Sequence, residues 1–450
     1  MVTVFDSLAG RSVGVWGAGT EGRAALAALP PGARRFVLVD DPASPGATET
    51  AAHFGATLTT PGRALADGLV DVVVRSPGIS VHRPEFAAFH EAGVAVTSLL
   101  ELWMPVAPAD TVIGVTGTKG KSTTSQLIGD LLVRAGRSVE VVGNIGRPVT
   151  EVEGVDVVVV EVSSYQAAAL SVSPAVGVLT NLDVDHLPWH GSVEQYHRDK
   201  LTLFANDGLA RLVTTDSTVD AVVADGRVPR EVIVTPTGEG WSLDGTSVSR
   251  GGRRVVDLAG SVLAPAHLGG NLLLACVAAE AAVGRPLDDA VVTATVEGFR
   301  LPPGRLEVVP TTDGITWVDD PLASNPFAAA ASIRSHAAVP VVLILGGDDR
   351  GVDPGPLFTA IREHATVRAV VAIGPAGSVW RSALEAEMAS RDARLVVIDA
   401  DDVAGAVVVA ARFALPGDAV LFSPGAPTTP VVGNWEHRLA AFRDAVGDLS

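Results

Sequence analysis

The chain has 450 residues, 47% of them hydrophobic, enough to bury more than one core and to form about two to four domains. Its net charge of −18 argues against a broad nucleic-acid or anionic-membrane surface, while leaving room for a local basic pocket around a small anion. Cys276 is the only cysteine, which excludes an intramolecular disulfide and a thiolate metal cluster.

The apolar runs, such as VDVVVVEV at 155–162, are Val-rich and well short of the roughly 20 residues of a membrane helix, so they read as buried strands. The N-terminal MVTVFDSLAG lacks the charged, apolar and cleavage regions of a secretory signal. A cytoplasmic protein with small-molecule partners, and neither nucleic acid nor membrane, is expected.

The first hundred residues alternate strand-like runs with helical patterns: SVGVWGAG, a helix from about Thr20, RFVLVDD and VDVVVRSPGI. This predicts doubly wound, Rossmann-like α/β structure over 1–108. Gly17, Gly19 and Gly22 satisfy G-x-G-x-x-G directly after a strand, and Asp40 ends the next one. Such a turn lets a helix N-terminus approach a pyrophosphate, with the acid on a ribose. NAD is one ligand that fits; other diphosphates, or close helix packing alone, use the same turn. The segment RSPGI (75–79) ends another strand on the same rim, where backbone donors of Ser76 to Gly78 would face that ligand.

A second α/β set begins at TVIGVTG (111–117) and continues through a helix and the runs VEVVGNIG, VDVVVVEVSS and AVGVLTNLD. Around 206–262 short strands with Gly, Asp and Ser turns predict a small β excursion inside this domain, assigned to 109–299. Its first loop, TGTKGKST, follows a strand and opens a helix, the setting in which backbone N–H groups cradle phosphates. The strict pattern asks for glycine at 115, where the chain has Val115. Thr116, Gly117, Thr118, Lys119, Gly120, Lys121, Ser122 and Thr123 are the expected ATP contacts, Lys121 on the outer phosphates and Ser122 on Mg²⁺. Glu161 and His186 stand at later strand ends and complete the candidate metal set.

Of the 33 basic residues only Lys119, Lys121 and Lys200 are lysine. That scarcity points to chemistry of a compact, titratable amine. An uncharged Lys200 amine adds CO2 to give a carbamate, a carboxylate-like ligand that arginine cannot supply. Lys121, His186 and Lys200 are therefore the candidate catalytic residues.

The segment VEGFRLPPGRLEVV (296–309) reads as an interdomain connection, with 300–305 as its hinge. A third Rossmann-like α/β set over 300–450 follows it: GITWVDD, PVVLILGGDD, VRAVVAIG, ARLVVIDA and DAVLFSPG.

In this order and spacing, VTGTKGKST, GNIG, EVSSYQ, NLDVDH and YHRDKLTLF resemble the Mur ligases of peptidoglycan precursor synthesis. SSYQ and the first-domain architecture are most similar to the MurD branch, which adds glutamate to UDP-N-acetylmuramoyl-L-alanine. The resemblance covers nearly the whole chain and uses Gly117 and Gly120, with no glycine at 115. It implies that Gly17, Gly19, Thr20, Asp40, Ser76 and Gly78 hold UDP rather than NAD. It also places Asn144, Ser163, Gln166 and His186 at the muramoyl substrate, and Asn271, Arg305 and Asp320 at the nucleotide. An ADP-forming acid–amino-acid ligase with ATP and Mg²⁺ as cofactors is implied. A non-catalytic nucleotide-binding regulator would have no need for Glu161, His186 and Lys200 together.

The departures lie in the third domain. DDPLASN (319–325) has Leu322 where the branch has lysine and Ser324 where it has threonine. GGDDRGVD makes Arg350 the cation, SPGAPTTP puts Thr428 at a usual serine, and NWEHR puts Trp435 at a usual phenylalanine. These positions would form the amino-acid pocket. Their change resembles the branch that uses L-glutamate, whose product a separate epimerase corrects; the usual D-glutamate enzyme is the alternative.

Overall fold

Runs of β-branched residues bounded by glycine-rich loops pair side by side, because a strand buried on both faces needs apolar side chains on both. The computed structural model describes residues 5–43, 45–144, 147–301, 304–310, 314–349, 353–364, 367–389, 395–429 and 431–449. They divide into two compact units, one ending at Phe299 and one beginning at Arg300.

The first unit holds two parallel sheets. In one, the strand order is Thr57–Thr59, Arg34–Leu38, Ser12–Trp16, Val72–Arg75, Ala95–Ser98. In the other it is Ile233–Val234, Arg211–Thr214, Val176–Leu179, Ala109–Thr116, Val155–Glu161, Val139–Gly143. Each sheet's first strand in the chain lies inside it, so the chain winds away on both sides. This places a crevice at the carboxyl ends of Ser12–Trp16 and of Ala109–Thr116, where open α/β sheets bind ligands. Leu99, Leu100 and Trp103 share one apolar core with Val149, Val152 and Val160, which joins the two layers.

The β excursion is smaller than the sequence pattern predicts. Residues 211–214 and 233–234 extend the parallel sheet, and only Trp241–Asp244, Ser247–Arg250 and Arg253–Asp257 form a separate antiparallel sheet. These two strands are short and lie among polar turns, so periodicity alone did not separate them from the hairpins. The helix Ala266–Val283 is long and apolar enough to cross a membrane, yet it buries Leu272, Leu274, Cys276 and Val277 and packs on Lys121–Arg134.

The second unit carries a six-stranded sheet in the order Glu307–Val309, Thr316–Asp319, Ala419–Gly425, Val341–Gly346, Val367–Ile373, Val396–Ala400. Only its first pair is antiparallel. Trp317, Ile344, Phe422 and Phe442 form one face of its core.

Gly177 packs so tightly that an added Cβ would lie 2.6 Å from the Phe204 ring. Gly177→Ala is expected to destabilise the first unit by about 1–3 kcal/mol through overpacking, read as a lower thermal midpoint.

Candidate active site

The phosphate loop leaves the strand Ala109–Thr116 and enters the helix Lys121–Arg134. Its two glycines are required by space and by backbone. Gly117 has φ +149°, and a Cβ there would sit 1.9 Å from Thr180 Oγ1; Gly120 has φ +84°, and a Cβ there would sit 2.9 Å from Asn271 Oδ1. Val115 is buried in the strand at register with Glu161, so glycine is not needed there. Thr116 is buried, with its hydroxyl donating to Val162 O, and thus binds strand to strand.

Asn181 braces the loop from the next strand end. Its Oδ1 accepts from the Thr118 and Lys119 amides at 3.0 and 2.9 Å, and its Nδ2 donates to Lys119 O at 3.1 Å. Thr118 is further engaged by the Tyr196 hydroxyl at 2.9 Å, and Lys119 pairs with Asp185 at 3.4 Å. The backbone donors left for an anion include those of the first helical turn, which carries Ser122 and Thr123 and whose N–H groups have no intrahelical acceptor.

Lys121 and Lys200 converge on one atom: each Nζ donates to Gly117 O at 3.0 Å, and Lys121 also reaches Thr118 O at 3.2 Å. Lys200 is 1% exposed, with its amine 4.8 Å from the Tyr196 ring centre. Burial, with the Lys121 charge beside it, holds its pKa well below the usual lysine range. Burial thus favours the neutral amine relative to an exposed lysine.

Glu161 ends the strand Val155–Glu161 and is buried. Its Oε1 accepts from Asn144 Nδ2 at 2.8 Å, whereas Oε2 is buried and has no hydrogen-bond partner among the described residues. An unpaired buried carboxylate oxygen is costly, and a cation would satisfy it.

His186 caps a short helix in the left-handed region, φ 54° and ψ 28°, an uncommon conformation for a non-glycine residue. Its side chain keeps 41% exposure at the rim while its ring lies 4.9 Å from Tyr165. Burial pushes its pKa down to about 4; Asp185 opposes the shift and Lys119, Lys121 and Lys200 add to it. The imidazole is neutral at pH 7, with a lone pair to offer.

A cavity of about 210 Å³ lies beside this mouth, lined in part by Thr20, Glu21, Asn144 and Gln166. Ser163 and Gln166 form a capping box on the helix Ser164–Ala167, and Gln166 Nε2 donates to Glu21 Oε1 at 2.6 Å. The Gly17–Gly22 turn is equally tight, since a Cβ on Gly22 would lie 2.1 Å from Gly17 O. Gly19 and Gly78 face open space, and Ser76 packs against Gly17. Asp40 is taken up by Arg83 in a two-pronged pair at 2.8 and 3.0 Å.

In the second unit, Arg305 Nη1 donates to Leu322 O at 3.3 Å, and Trp435 packs against Gly304. Ser324 directly precedes Asn325, the cap of Pro326–Ser335. Asp320 is buried and accepts from the hydroxyls of Ser332 and Ser423. Thr428 is half-buried, and Arg350 lies outside the described residues.

Sequence reasoning missed three kinds of residue here. Asn181 was legible only as part of a motif. Arg75 and Arg438 are buried arginines hidden among thirty, and Arg438 donates to Ala426 O at 3.0 Å and to Pro321 O. The group His82, His190 and Asp199 shares Asp199 Oδ2, at 2.7 and 2.6 Å from the two rings.

A parallel-sheet crevice with a phosphate loop, two converging amines and an unpaired buried carboxylate oxygen defines a nucleotide-binding α/β enzyme that handles phosphoryl groups. Comparison with known proteins specifies it. Residues 115–232 match the Mur ligase middle domain, and 304–425 match the Mur ligase glutamate ligase domain. A Micromonospora protein named UDP-N-acetylmuramoyl-L-alanine–L-glutamate ligase is 38% identical over 99% of this chain and 98% of its own. A Rubrobacter xylanophilus protein named UDP-N-acetylmuramoylalanine–D-glutamate ligase is 36% identical over 96% and 97%. The fold is that of MurC from Thermotoga maritima, with a TM-score of 0.59 at 17% identity over 98% of this chain and 100% of that one. The chain belongs to the Mur ligase family, whose members are ATP-dependent, ADP-forming amide ligases.

Burial raises the Asp320 pKa to about 6, against the pull of Arg305 and the two serine hydroxyls. A raised carboxyl pKa favours the folded state below the unfolded value of 3.8 and loses that advantage as pH rises to about 6. The shift corresponds to on the order of 3 kcal/mol. Hydrogen exchange over 316–335 is expected to show protection falling between pH 4 and 6, and Asp320→Asn is expected to flatten that fall.

Proposed function

We propose that the chain joins L-glutamate to UDP-N-acetylmuramoyl-L-alanine, forming ADP and phosphate, a step of peptidoglycan precursor synthesis in the cytoplasm. The observation that carries the reading is one mouth shared by the phosphate loop, Lys121, Lys200, Glu161 and His186, with the Thr20–Asn144–Gln166 cavity opening beside it. In this reading residues 1–108 hold the UDP-sugar through Gly17, Gly19, Thr20, Asp40, Ser76 and Gly78. Residues 109–299 hold ATP, and 300–450 supply glutamate.

The alanyl carboxylate is a poor acyl donor, so one of its oxygens takes the γ-phosphoryl group and ADP departs. Lys121 and the first-turn amides draw charge off the phosphoryl oxygens. Asn144, held by Glu161, orients the carboxylate. The glutamate amine then adds to the acyl carbon, loses a proton, and the tetrahedral adduct expels phosphate to leave the amide. Water must be kept out, because it would intercept the acyl phosphate.

Glu161 Oε2, Ser122, neutral His186 and a carbamate on Lys200 would hold Mg²⁺, a hard-oxygen set with one imidazole. When bound, the ion offsets phosphoryl charge that the lysines alone leave uncompensated. Carbamate formation joins the neutral Lys200 nitrogen to CO2 and releases one proton, turning a neutral amine amid lysines into an anion. Enzyme in ¹³C-bicarbonate is expected to show a carbamate carbon resonance, and Lys200→Arg to lose both that resonance and about 10² or more of turnover.

L-glutamate is favoured over D-glutamate by the changed positions Leu322, Ser324, Arg350, Thr428 and Trp435. Relatives bearing the L-glutamate name are 38% and 36% identical to this chain, beside one bearing the D-glutamate name at 36%. The product would then need an epimerase acting on the new stereocentre. Phosphate release with ATP and UDP-N-acetylmuramoyl-L-alanine is expected with L-glutamate and at least about tenfold slower with D-glutamate. Turnover with D-glutamate alone would reverse the assignment.

A further inference from the structure

Arg75 ends the strand Val72–Arg75, where a charged side chain would ordinarily reach solvent, yet it is 1% exposed. Its guanidinium gathers backbone oxygens. Nη1 donates to Ser76 O at 3.3 Å, Pro77 O at 3.2 Å and Ile79 O at 2.6 Å, and Nη2 donates to Tyr165 O at 3.0 Å. The fork stands 5.9 Å from the centre of the Trp189 ring, which in turn stacks on Tyr165 at 4.7 Å.

The loop it organises is fastened further along. Trp189 Nε1 donates to Pro77 O at 3.2 Å, Ser80 Oγ donates to Trp189 O at 2.9 Å, and His82 Nε2 lies 2.7 Å from Asp199 Oδ2. Residues 75–82 are thus tied at several points to the segment between Tyr165 and Asp199, next to Lys200. Glu21 and Asp199 are the acidic groups that face the guanidinium, and at a pKa of about 10 under burial it stays charged at neutral pH.

An apolar side chain of similar volume would pack this strand end without the desolvation cost of a cation. What it could not do is turn the loop carbonyls of Ser76, Pro77 and Ile79 inward. In a trans peptide C=O and N–H point opposite ways, so drawing Pro77 O toward Arg75 turns the Gly78 N–H outward. That N–H has no acceptor among the described residues, and the space where a Gly78 side chain would project is open.

We propose that Arg75 is a positioning residue for the muramoyl nucleotide, setting the Ser76–Ile79 loop with the Gly78 N–H presented to a phosphate or carbonyl oxygen. The inference rests on the reading that this chain binds UDP-N-acetylmuramoyl-L-alanine. Arg75 itself touches no substrate; it acts through the loop and docks it on the Tyr165–Trp189 wall.

The test compares full-length wild type, Arg75→Lys and Trp189→Phe by calorimetric binding of UDP-N-acetylmuramoyl-L-alanine and by steady-state kinetics. Lysine keeps the charge but cannot span the loop and Tyr165 together. Arg75→Lys is expected to raise Kd and KM for the muramoyl nucleotide about tenfold or more, with KM for ATP within about twofold. Trp189→Phe keeps the ring and loses one donor to Pro77, so a smaller rise of about threefold is expected, and it carries the test if Arg75→Lys fails to fold. Unchanged affinity in the variants while wild type binds would overturn this inference alone, as would a parallel rise of both KM values. Wild type that does not bind the muramoyl nucleotide would overturn the functional reading and this inference with it.

Discussion

The carbonyl oxygen of Gly117 receives two lysine amines, Lys121 and Lys200, each at 3.0 Å. Two ammonium groups that share an acceptor lie no more than about 6 Å apart, and in a buried site they repel strongly. Either an anion arrives or a proton leaves. Both outcomes suit the proposed phosphoryl chemistry, in which the loop would receive phosphate and burial favours the neutral form of Lys200. The arrangement needs Gly117 in a conformation that only glycine adopts comfortably, with Thr180 packed where a side chain would be. Asn181, Tyr196 and Thr118 then brace the loop around that oxygen, so the electrostatics rest on a local backbone constraint.

The same logic recurs at loops that follow other strands. Arg75 and Arg438 are buried cations whose Nη groups donate to backbone carbonyls, Arg75 within the first unit and Arg438 on Pro321 and Ala426 within the second. A loop beyond a strand end cannot satisfy its carbonyls by sheet pairing. A guanidinium with five donors fixes several carbonyls at once. Burial lowers the pKa of each to about 10, which leaves them charged at pH 7.

The alternation of apolar runs and helical patterns made the α/β class legible, because buried parallel strands must be continuously hydrophobic. The phosphate loop was legible because Gly117, Gly120 and Lys121 are close in sequence and each has its own steric or charge requirement. Glu161 and His186 were legible as polar residues at strand ends, where a doubly wound sheet puts its crevice. The strand Arg211–Thr214 was absorbed into a predicted β excursion, since four residues carry too little period to separate from a hairpin. Arg75 and Arg438 were invisible because their role depends on carbonyls supplied by other segments.

By itself the sequence determined the residue inventory and the local conformations: which strands are buried, where glycine is obligatory, and that only three amines exist among thirty-three basic residues. Tertiary structure alone decided which groups meet. Lys200 and Gly117 are 83 positions apart, Gln166 and Glu21 are 145, and Arg75 and Tyr165 are 90. Perturbed protonation, an unpaired carboxylate oxygen and an outward-turned amide are properties of such meetings. They arise from burial and proximity, which no local pattern encodes.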